Sequence, residues 1–259
     1  MNSRTFATCA IAASSFALPA PSFALCEAQS GPNTAALVEL YTSEGCSSCP
    51  PADQLLGQLR RSLGPATEVI PLALHVNYWD HIGWKDPYAQ GAFGERQKWL
   101  VHANNQRTIY TPQFFVGGAE LRSRRDTLQR EVQRLNTTPA GASIRVQAAV
   151  SASGALTLTA EARARGGVDP LALYLAVTES GLVSKVTRGE NGGATLRHDH
   201  VVRAWFGPSR LTGETARLRR ELALPRAWQR GRLEVVAFVQ NEHTGRVLQA
   251  VSARKCTDS

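Results

Sequence analysis

Cys46 and Cys49, separated by two serines, are the residues whose type and spacing most clearly could carry chemistry. They lie between a short apolar run, residues 35–42, and a pattern that predicts a helix opening at Pro50. The unpaired amides and the dipole of a helix N-terminus stabilise a thiolate, so Cys46 is the candidate nucleophile. Cys49 is then placed to attack a mixed disulfide on Cys46 and release the product. The same spacing also fits an inert local disulfide or half of a metal site.

A second motif lies further along the chain, where Pro112 precedes the apolar run 114–116. A proline that opens a strand favours a cis peptide bond, here between Thr111 and Pro112, and leaves the neighbouring backbone free to pair with an extended peptide. We therefore expect the Thr111–Pro112 bond to be cis, to lie beside Cys46 and to receive substrate backbone.

The elements that must position these residues follow from apolar periodicity and turn residues. Between residues 35 and 138 the pattern predicts the order β-α-β-α-β-β-α. The strands are expected at 35–42, 68–76, 113–116 and 119–122, and the helices from residue 50, over about 87–103, and from residue 123 or 126. Parallel strands at 35–42 and 68–76 would bring the loop that follows the second of them to the sheet edge that carries Cys46.

That loop, residues 77–87, is rich in aromatic side chains. Tyr78, Trp79 and Trp84 are candidates for a substrate-binding lip beside Cys46. The other interpretation, which the sequence leaves open, is that these rings pack together and anchor a long loop.

After residue 138 the pattern changes to short alternating strands separated by turn residues, which indicates an antiparallel β-sandwich. The strands are expected at 143–151, 155–164, 171–178, 197–205, 216–222, 233–240 and 246–252. The sequence therefore predicts one domain over 25–138 and a second, a β-sandwich domain, over 139–259.

The first 24 residues have the pattern of a secretory signal peptide. Arg4 is followed by the apolar run 6–18 and by the small-residue site Ser-Phe-Ala at 22–24. We expect residues 1–24 to be removed and the protein to be periplasmic or secreted.

Export decides which cysteines remain. Removal of residues 1–24 takes Cys9 away and leaves four cysteines in an oxidising compartment, which suggests two disulfides. Cys46 and Cys49 form a local pair, and by subtraction Cys26 pairs with Cys256 as a structural disulfide. The sequence alone also permits free thiols.

Composition limits the classes of partner. The 259 residues are 43% hydrophobic and 19% charged, which excludes a disordered chain, and no apolar stretch reaches the roughly 18 residues of a membrane-spanning helix. The formal net charge is +8, and a basic protein can be attracted to nucleic acid. An exported protein is separated from the genome, so no nucleic-acid partner is expected. We expect no membrane span and no cofactor, and the oligomeric state stays open.

Histidines keep a metal site open as an alternative, because imidazole and thiolate together bind Zn²⁺ or Cu⁺. Those that could join Cys46 and Cys49 are His75, His81 and His102. His198 and His200 alternate on one predicted strand and form a further pair. Nothing in the sequence sets the spacing of the first group. The shared strand face of His198 and His200 permits joint ligation, but it also fits a solvated strand face.

The two motifs together resemble the thioredoxin superfamily, in which two active-site cysteines face a cis proline. The matching residues are Cys46, Cys49, Thr111 and Pro112. The resemblance implies an α/β, thioredoxin-like N-terminal domain followed by the C-terminal antiparallel β-sandwich. It also places Glu39 where a buried acid could take the proton of Cys49.

The chain more closely resembles a secreted bacterial family catalogued as domain of unknown function 1223. The matching segments are 40–53, 76–87 and 110–113. The family supplies no activity, and the serines between the cysteines depart from the Gly-Pro of thioredoxin.

From these observations we expect an exported protein that exchanges thiols and disulfides with protein cysteines through a redox-active pair, Cys46 and Cys49. Two alternatives remain open. One is a metallochaperone that uses the same cysteines, and the other is a noncatalytic binding protein in which the pair is a structural disulfide.

Overall fold

A computed structural model describes residues 24–122, 125–150, 155–164 and 170–254. The strands are β1 (Ala24–Gln29), β2 (Ala36–Thr42), β3 (Val69–His75), β4 (Gln113–Val116), β5 (Ala119–Leu121), β6 (Ala142–Val150), β7 (Leu156–Ala164), β8 (Leu171–Glu179), β9 (Leu182–Lys185), β10 (Thr195–His198), β11 (Val201–Arg210), β12 (Thr215–Leu222), β13 (Leu233–Asn241) and β14 (Val247–Arg254). The α-helices are α1 (Pro50–Leu63), α2 (Gly91–Ala103) and α3 (Arg125–Asn136). Short 3₁₀ turns cover Asp80–Ile82 and Arg230–Arg232.

One eight-stranded sheet organises the molecule, in the order β14-β13-β8-β11-β3-β2-β4-β5. The pairs β2–β3 and β3–β11 are parallel, and the other neighbouring strands are antiparallel. A four-stranded antiparallel sheet has the order β1-β6-β7-β12, and β9 and β10 form a small hairpin.

The predicted fold class was wrong. Strand is the predominant regular structure of the described residues, and β2, β3, β4 and β5 belong to the same sheet as β8, β11, β13 and β14, so the fold is not an α/β thioredoxin-like one. Val201 of β11 pairs with Ala73 of β3. The local sequence pattern does not show which strand pairs with this edge of β3. Local periodicity predicts where strands lie, but the partner on a free edge depends on residues distant in the sequence.

Most of the predicted elements are nevertheless present. The order β-α-β-α-β-β-α appears from β2 to α3, and strands occur in all seven of the segments expected after residue 138. The predicted boundary at 138/139 falls between α3 and β6, and strands from both sides of it lie side by side in the large sheet. A division into two domains at this point stays a prediction.

The faces of the large sheet are covered by different elements. On one face, α1 and α3 pack on β2 through residues such as Val38, Leu56 and Val132, and the four-stranded sheet packs on β8, β13 and β14. On the opposite face, α2 packs through Phe93 and Leu100. Because side chains alternate along a strand, successive residues of β2 contact different helices.

Gly118 occupies a position that excludes a side chain. Its φ is +88°, and a Cβ there would overlap the carbonyl oxygen of Gly245. We expect Gly118→Ala to lower the free energy of unfolding by about 1 to 3 kcal/mol, because the backbone must leave a conformation that alanine disfavours. Urea denaturation measures this, with Gly31→Ala as control, since nothing lies near its Cβ position. Equal stability of the two variants would contradict the close approach.

Candidate functional site

Cys46 and Cys49 form a disulfide at the start of α1, which confirms the predicted local pair. Cys49 is the N-cap residue, and its carbonyl oxygen accepts hydrogen bonds from the backbone N–H groups of Ala52 and Asp53 at 2.9 and 3.0 Å. Pro50 occupies the first helical position, where a missing N–H costs nothing. The sulfurs therefore lie at the positive end of the helix dipole.

The disulfide is enclosed although the serines between the cysteines are not. Cys46 is 1% exposed and Cys49 is 0% exposed, whereas Ser47 and Ser48 are exposed. The Ser48 hydroxyl oxygen lies 3.4 Å from Cys46 Sγ. A hydroxyl at that distance is able to donate to a thiolate on Cys46 after reduction.

The connection between β9 and β10, residues 186–194, covers the motif, and we call it the covering segment. Asn191 Nδ2 donates to the carbonyl oxygens of Glu44 and Cys46 at 2.8 and 3.0 Å. The Ser47 N–H donates to Glu190 Oε2 at 2.9 Å, and hydrogen bonds from Ser47 hold the pKa of Glu190 below its ordinary value. Sequence reasoning missed these residues, because no local signal links them to a motif so far away in the chain.

The aromatic loop reaches the motif through two of its three predicted residues. Trp79 packs against Gly45, where an added Cβ would lie 3.0 Å from Trp79 Cβ. Trp84 Nε1 donates to Glu44 Oε2 at 2.7 Å. Tyr78 is exposed, and its hydroxyl donates to Gln97 on α2 at 3.2 Å. Trp79 and Trp84 therefore buttress the turn that carries Cys46, and a role of these three side chains in binding substrate stays a prediction.

The Thr111–Pro112 bond is cis, as predicted. Trp79 Nε1 donates to Thr111 Oγ1 at 2.8 Å, so the ring that packs on Gly45 also holds the residue before the proline. The structure thereby links both sequence motifs through one tryptophan. The expected contact of this bond with substrate backbone stays a prediction.

Glu39 is not brought to the cysteines. Its neighbours on the same face of β2, Leu37 and Tyr41, pack with α2, whereas α1 covers the other face of the strand. Glu39 accepts a hydrogen bond from Arg96 Nε of α2 at 2.7 Å, in a buried ion pair. The expectation that Glu39 takes the proton of Cys49 therefore has no support in its position.

A buried polar cluster lies beside the disulfide, formed by Glu44, Asp53, His75, Asp86 and His198. His198 Nε2 donates to Glu44 Oε1 at 3.0 Å, and His198 Nδ1 lies 3.7 Å from Asp53 Oδ2. His75 Nδ1 donates to Asp86 Oδ2 at 2.7 Å, and that oxygen also accepts the backbone N–H of Glu44 at 2.9 Å. The two imidazole rings meet edge to face at 5.0 Å.

Burial and charge move the proton affinities within this cluster in different directions. Burial raises the pKa of Asp53 above its ordinary value, and His75 and His198 offset only part of that rise. Burial lowers the pKa of His75, but attraction to Asp86 outweighs it and leaves the pKa raised. Burial likewise raises the pKa of Asp86, yet His75 outweighs it and leaves that pKa lowered.

The predicted histidine groups are only partly assembled. His75 and His198, from different predicted groups, share the buried cluster, whereas the exposed His81 lies in the aromatic loop and the exposed His102 on α2. His200 Nδ1 lies 3.7 Å from Glu234 instead. Within the described ranges no three His, Cys, Asp or Glu side chains are arranged to hold a metal ion.

The second predicted disulfide joins Cys26 to Cys256. Cys26 in β1 is disulfide-bonded, and its predicted partner Cys256 lies outside the described residues, as does nearly all of the expected signal peptide, 1–24. The pairing of Cys26 with Cys256 stays a prediction. No helix in the described part of the chain is long and apolar enough to cross a membrane.

Solved structures with a similar fold are known. The crystal structure of protein AGR_C_4864 from Agrobacterium tumefaciens is 21% identical, with a TM-score of 0.61, and the alignment covers 88% of this chain and 96% of that one. HBP35 of Porphyromonas gingivalis is 16% identical, with a TM-score of 0.67, and the alignment covers 86% of this chain and 76% of that one. At these identities the likeness concerns the fold alone.

No curated protein sequence matches this chain. A family model described as "Protein of unknown function (DUF1223)" does match, over residues 37–240. The match begins in β2, ends in β13 and includes the disulfide, the aromatic loop, the covering segment and the buried cluster. The chain therefore belongs to the DUF1223 family.

Proposed function

We propose that the protein exchanges thiols and disulfides with protein cysteines through Cys46 and Cys49. The observation that carries this proposal is the disulfide at the N-terminus of α1. A thiolate formed there gains from the helix dipole and from the Ser48 hydroxyl, 3.4 Å from Cys46 Sγ. These are the conditions that make one cysteine of a pair a good nucleophile and leaving group.

The exchange balances without any further reactant. A substrate thiolate attacks Cys46 Sγ, a mixed disulfide forms, and the bond between the two sulfurs of the motif breaks with its electron pair on Cys49. A second substrate thiolate attacks the mixed disulfide and leaves with the first as a substrate disulfide. Two electrons and two protons pass to the cysteine pair, and the reverse sequence oxidises a substrate dithiol.

Access to the disulfide is the step that the structure constrains. Both cysteines are buried, and the covering segment is bonded to the carbonyl oxygen of Cys46 and to the N–H of Ser47. Exchange therefore requires the covering segment to move away from the motif. The exposed Ser47 and Ser48 lie where an incoming peptide first meets the protein.

Replacing Asn191 by alanine is expected to expose the disulfide more often. The variant loses two hydrogen bonds that hold the covering segment to the motif, together worth about 1 to 2 kcal/mol. Reduction by dithiothreitol should accelerate about tenfold, since 1.4 kcal/mol is a tenfold change. Stopped-flow measurement checks the rate, with the exposed Asn33 as the control position for the same substitution. An unchanged rate in Asn191→Ala would show that the covering segment does not limit access.

The reduction potential tests the proposal itself. Exchange catalysts have potentials between about −120 and −270 mV, whereas structural disulfides lie below about −300 mV. We expect equilibration with glutathione or dithiothreitol to place the Cys46–Cys49 pair in the first range. The burial of both sulfurs specifically favours a second candidate, a binding protein with a structural disulfide, and a potential below −300 mV would select that candidate.

We place the activity outside the cytoplasm. The support is the pattern of residues 1–24 in the sequence, together with the oxidising compartment that a disulfide needs to persist. Size measurement of the exported protein from bacteria that express the full chain tests this directly. A cytoplasmic chain that keeps residues 1–24 would contradict it.

A further inference from the structure

Three polar atoms of the buried cluster have no hydrogen-bond partner in the described structure: Asp53 Oδ1, His75 Nε2 and His198 Nδ1. Each belongs to a side chain that is more than nine-tenths buried. Buried polar atoms without partners are costly and rare, so a group of them calls for an explanation. A change in the protonation of these side chains would give such atoms a proton to donate or to accept.

The position of Asp53 relative to the disulfide suggests which change in protonation this is. Asp53 follows Cys49 by four residues on α1, and its N–H donates to the carbonyl oxygen of Cys49 at 3.0 Å. Residues four apart lie on the same helix face, and helical side chains lean toward the N-terminus. The Asp53 carboxyl therefore lies over the turn that begins at Cys49.

His198 faces this carboxyl from the other side. It comes from β10, more than 140 residues away in the sequence, and lies 3.0 Å from Glu44 and 3.7 Å from Asp53. It thus connects the residue two before Cys46 with the residue four after Cys49. One imidazole spans both ends of the disulfide motif.

A groove connects this pair to solvent. Between α1 and β10 lies a cavity of about 530 Å³, and Asp53 and His198 are among its lining residues, together with the charged Arg61, Arg197 and Asp199. A proton released or taken up by Asp53 or His198 therefore has a path to solvent that does not pass through the disulfide.

We propose that Asp53, positioned by His198, supplies a proton to Cys49 when the disulfide is reduced and takes it back when the disulfide re-forms. This inference rests on the proposed function, because it concerns the reduced state of the same cysteine pair. It assigns to Asp53 the proton role that the sequence suggested for Glu39. His198 acts through Asp53 and is a positioning residue.

The step balances as follows. When the substrate thiolate bonds to Cys46, the sulfur of Cys49 leaves with the electron pair of the broken bond. The Asp53 carboxyl gives its proton to that sulfur and becomes a carboxylate facing His198, and a proton from the groove restores it. Two negative charges one helical turn apart in a buried space repel, so Cys49 and Asp53 share one proton.

Other titratable and charged groups lie around Asp53 and His198. Glu44 lies two residues after β2, and the hydrogen-bonded pair His75–Asp86 joins β3 to the aromatic loop. The Tyr88 ring lies 5.6 Å from His198, and Arg203 of β11 stacks over that ring at 5.2 Å. Burial raises the pKa of Asp53 within this setting, so it holds a proton more readily than an exposed aspartate.

The experiment measures the rate of reduction by dithiothreitol against pH, corrected for the thiolate fraction of the reductant, in the full exported protein. Wild type should show an inflection that reports Asp53. In Asp53→Asn and His198→Gln the inflection should vanish, and the rate near neutral pH should fall about tenfold. His102→Gln, an exposed histidine on α2, should match wild type.

A measurement on the wild-type protein tests the inference even if the variants fail to fold. The ¹³Cγ shift of Asp53 reports its protonation, and its midpoint should rise when the disulfide is reduced and Cys49 ionises. A midpoint unchanged by reduction, or a pH profile in folded Asp53→Asn equal to that of wild type, overturns this inference alone. A folded wild-type protein whose disulfide resists dithiothreitol overturns the proposed function as well.

Discussion

Cys46→Ser is expected to lose exchange of protein disulfides entirely, down to the uncatalysed rate. The sulfur that bonds to the substrate is removed, and the remaining Cys49 has no second thiol with which to form or break the disulfide of the motif. Cys49→Ser should instead accumulate a mixed disulfide on Cys46, because the resolving thiol is missing. Non-reducing gels and mass spectrometry of protein mixed with a peptide disulfide distinguish the two results.

Ser48→Ala is the matched control for this pair. It removes the hydroxyl 3.4 Å from Cys46 Sγ and leaves both cysteines, so exchange should slow only a few-fold, by the loss of about one hydrogen bond. In the reduced protein, alkylation near neutral pH should fall mainly on Cys46. Equal alkylation of the two cysteines, or full exchange activity in Cys46→Ser, would remove the case for a catalytic pair.

Glu39→Gln is expected to lower the free energy of unfolding by about 3 to 5 kcal/mol, the cost of breaking a buried ion pair from one side. The Arg96 guanidinium would keep its charge, because attraction to Glu39 outweighs burial and places its pKa above the ordinary value even of arginine. Without Glu39 this charge loses the carboxylate with which it forms an ion pair among the described residues. Guanidinium denaturation of the folded variant measures the loss.

The surroundings of Arg96 explain why the effect is large. The guanidinium carbon lies 4.6 Å from the Trp205 ring centre and 5.2 Å from that of Tyr174, and its Nη2 donates to Gln240. These rings stabilise the cation but do not neutralise it. The double variant Glu39→Gln/Arg96→Met should recover part of the lost stability, since it leaves no buried charge.

An exposed pair supplies the control for this prediction. Arg134 and Glu131 bond at 2.6 Å on the surface of α3, and Glu131→Gln should cost only about 0.3 to 0.5 kcal/mol. If Glu39→Gln is as mild as Glu131→Gln, the buried pair does not hold α2 to the sheet. Exchange activity per folded molecule should stay unchanged in Glu39→Gln, because Glu39 lies on the face of β2 away from α1.

Local sequence was sufficient for the parts of the site that depend on neighbours in the chain. The two-residue spacing of Cys46 and Cys49 permits a disulfide, and Pro50 after the motif begins a helix in the structure as expected. The proline at 112 indicated the cis bond that the structure contains. Each of these outcomes depends on a few consecutive residues, so their types and order carry the information.

The face on which Glu39 lies could not be predicted in the same way. Alternation along β2 shows that Glu39 shares a face with Leu37 and Tyr41, but not which helix covers that face. The structure places α2 there and α1 on the opposite face. Glu39 therefore lies on the α2 side of the sheet, away from α1 and the disulfide at its start.

The sequence by itself determined the cysteine pair and most of the strands and helices next to it. The tertiary structure decided which distant residues surround that pair. Asn191 and His198 reach the motif only because the β9–β10 hairpin packs near the start of α1. β11 completes the sheet by pairing with β3, which made the predicted fold class wrong. Such contacts join residues more than a hundred positions apart, and their energy comes from complementary burial across the whole core, which no local pattern of residues records.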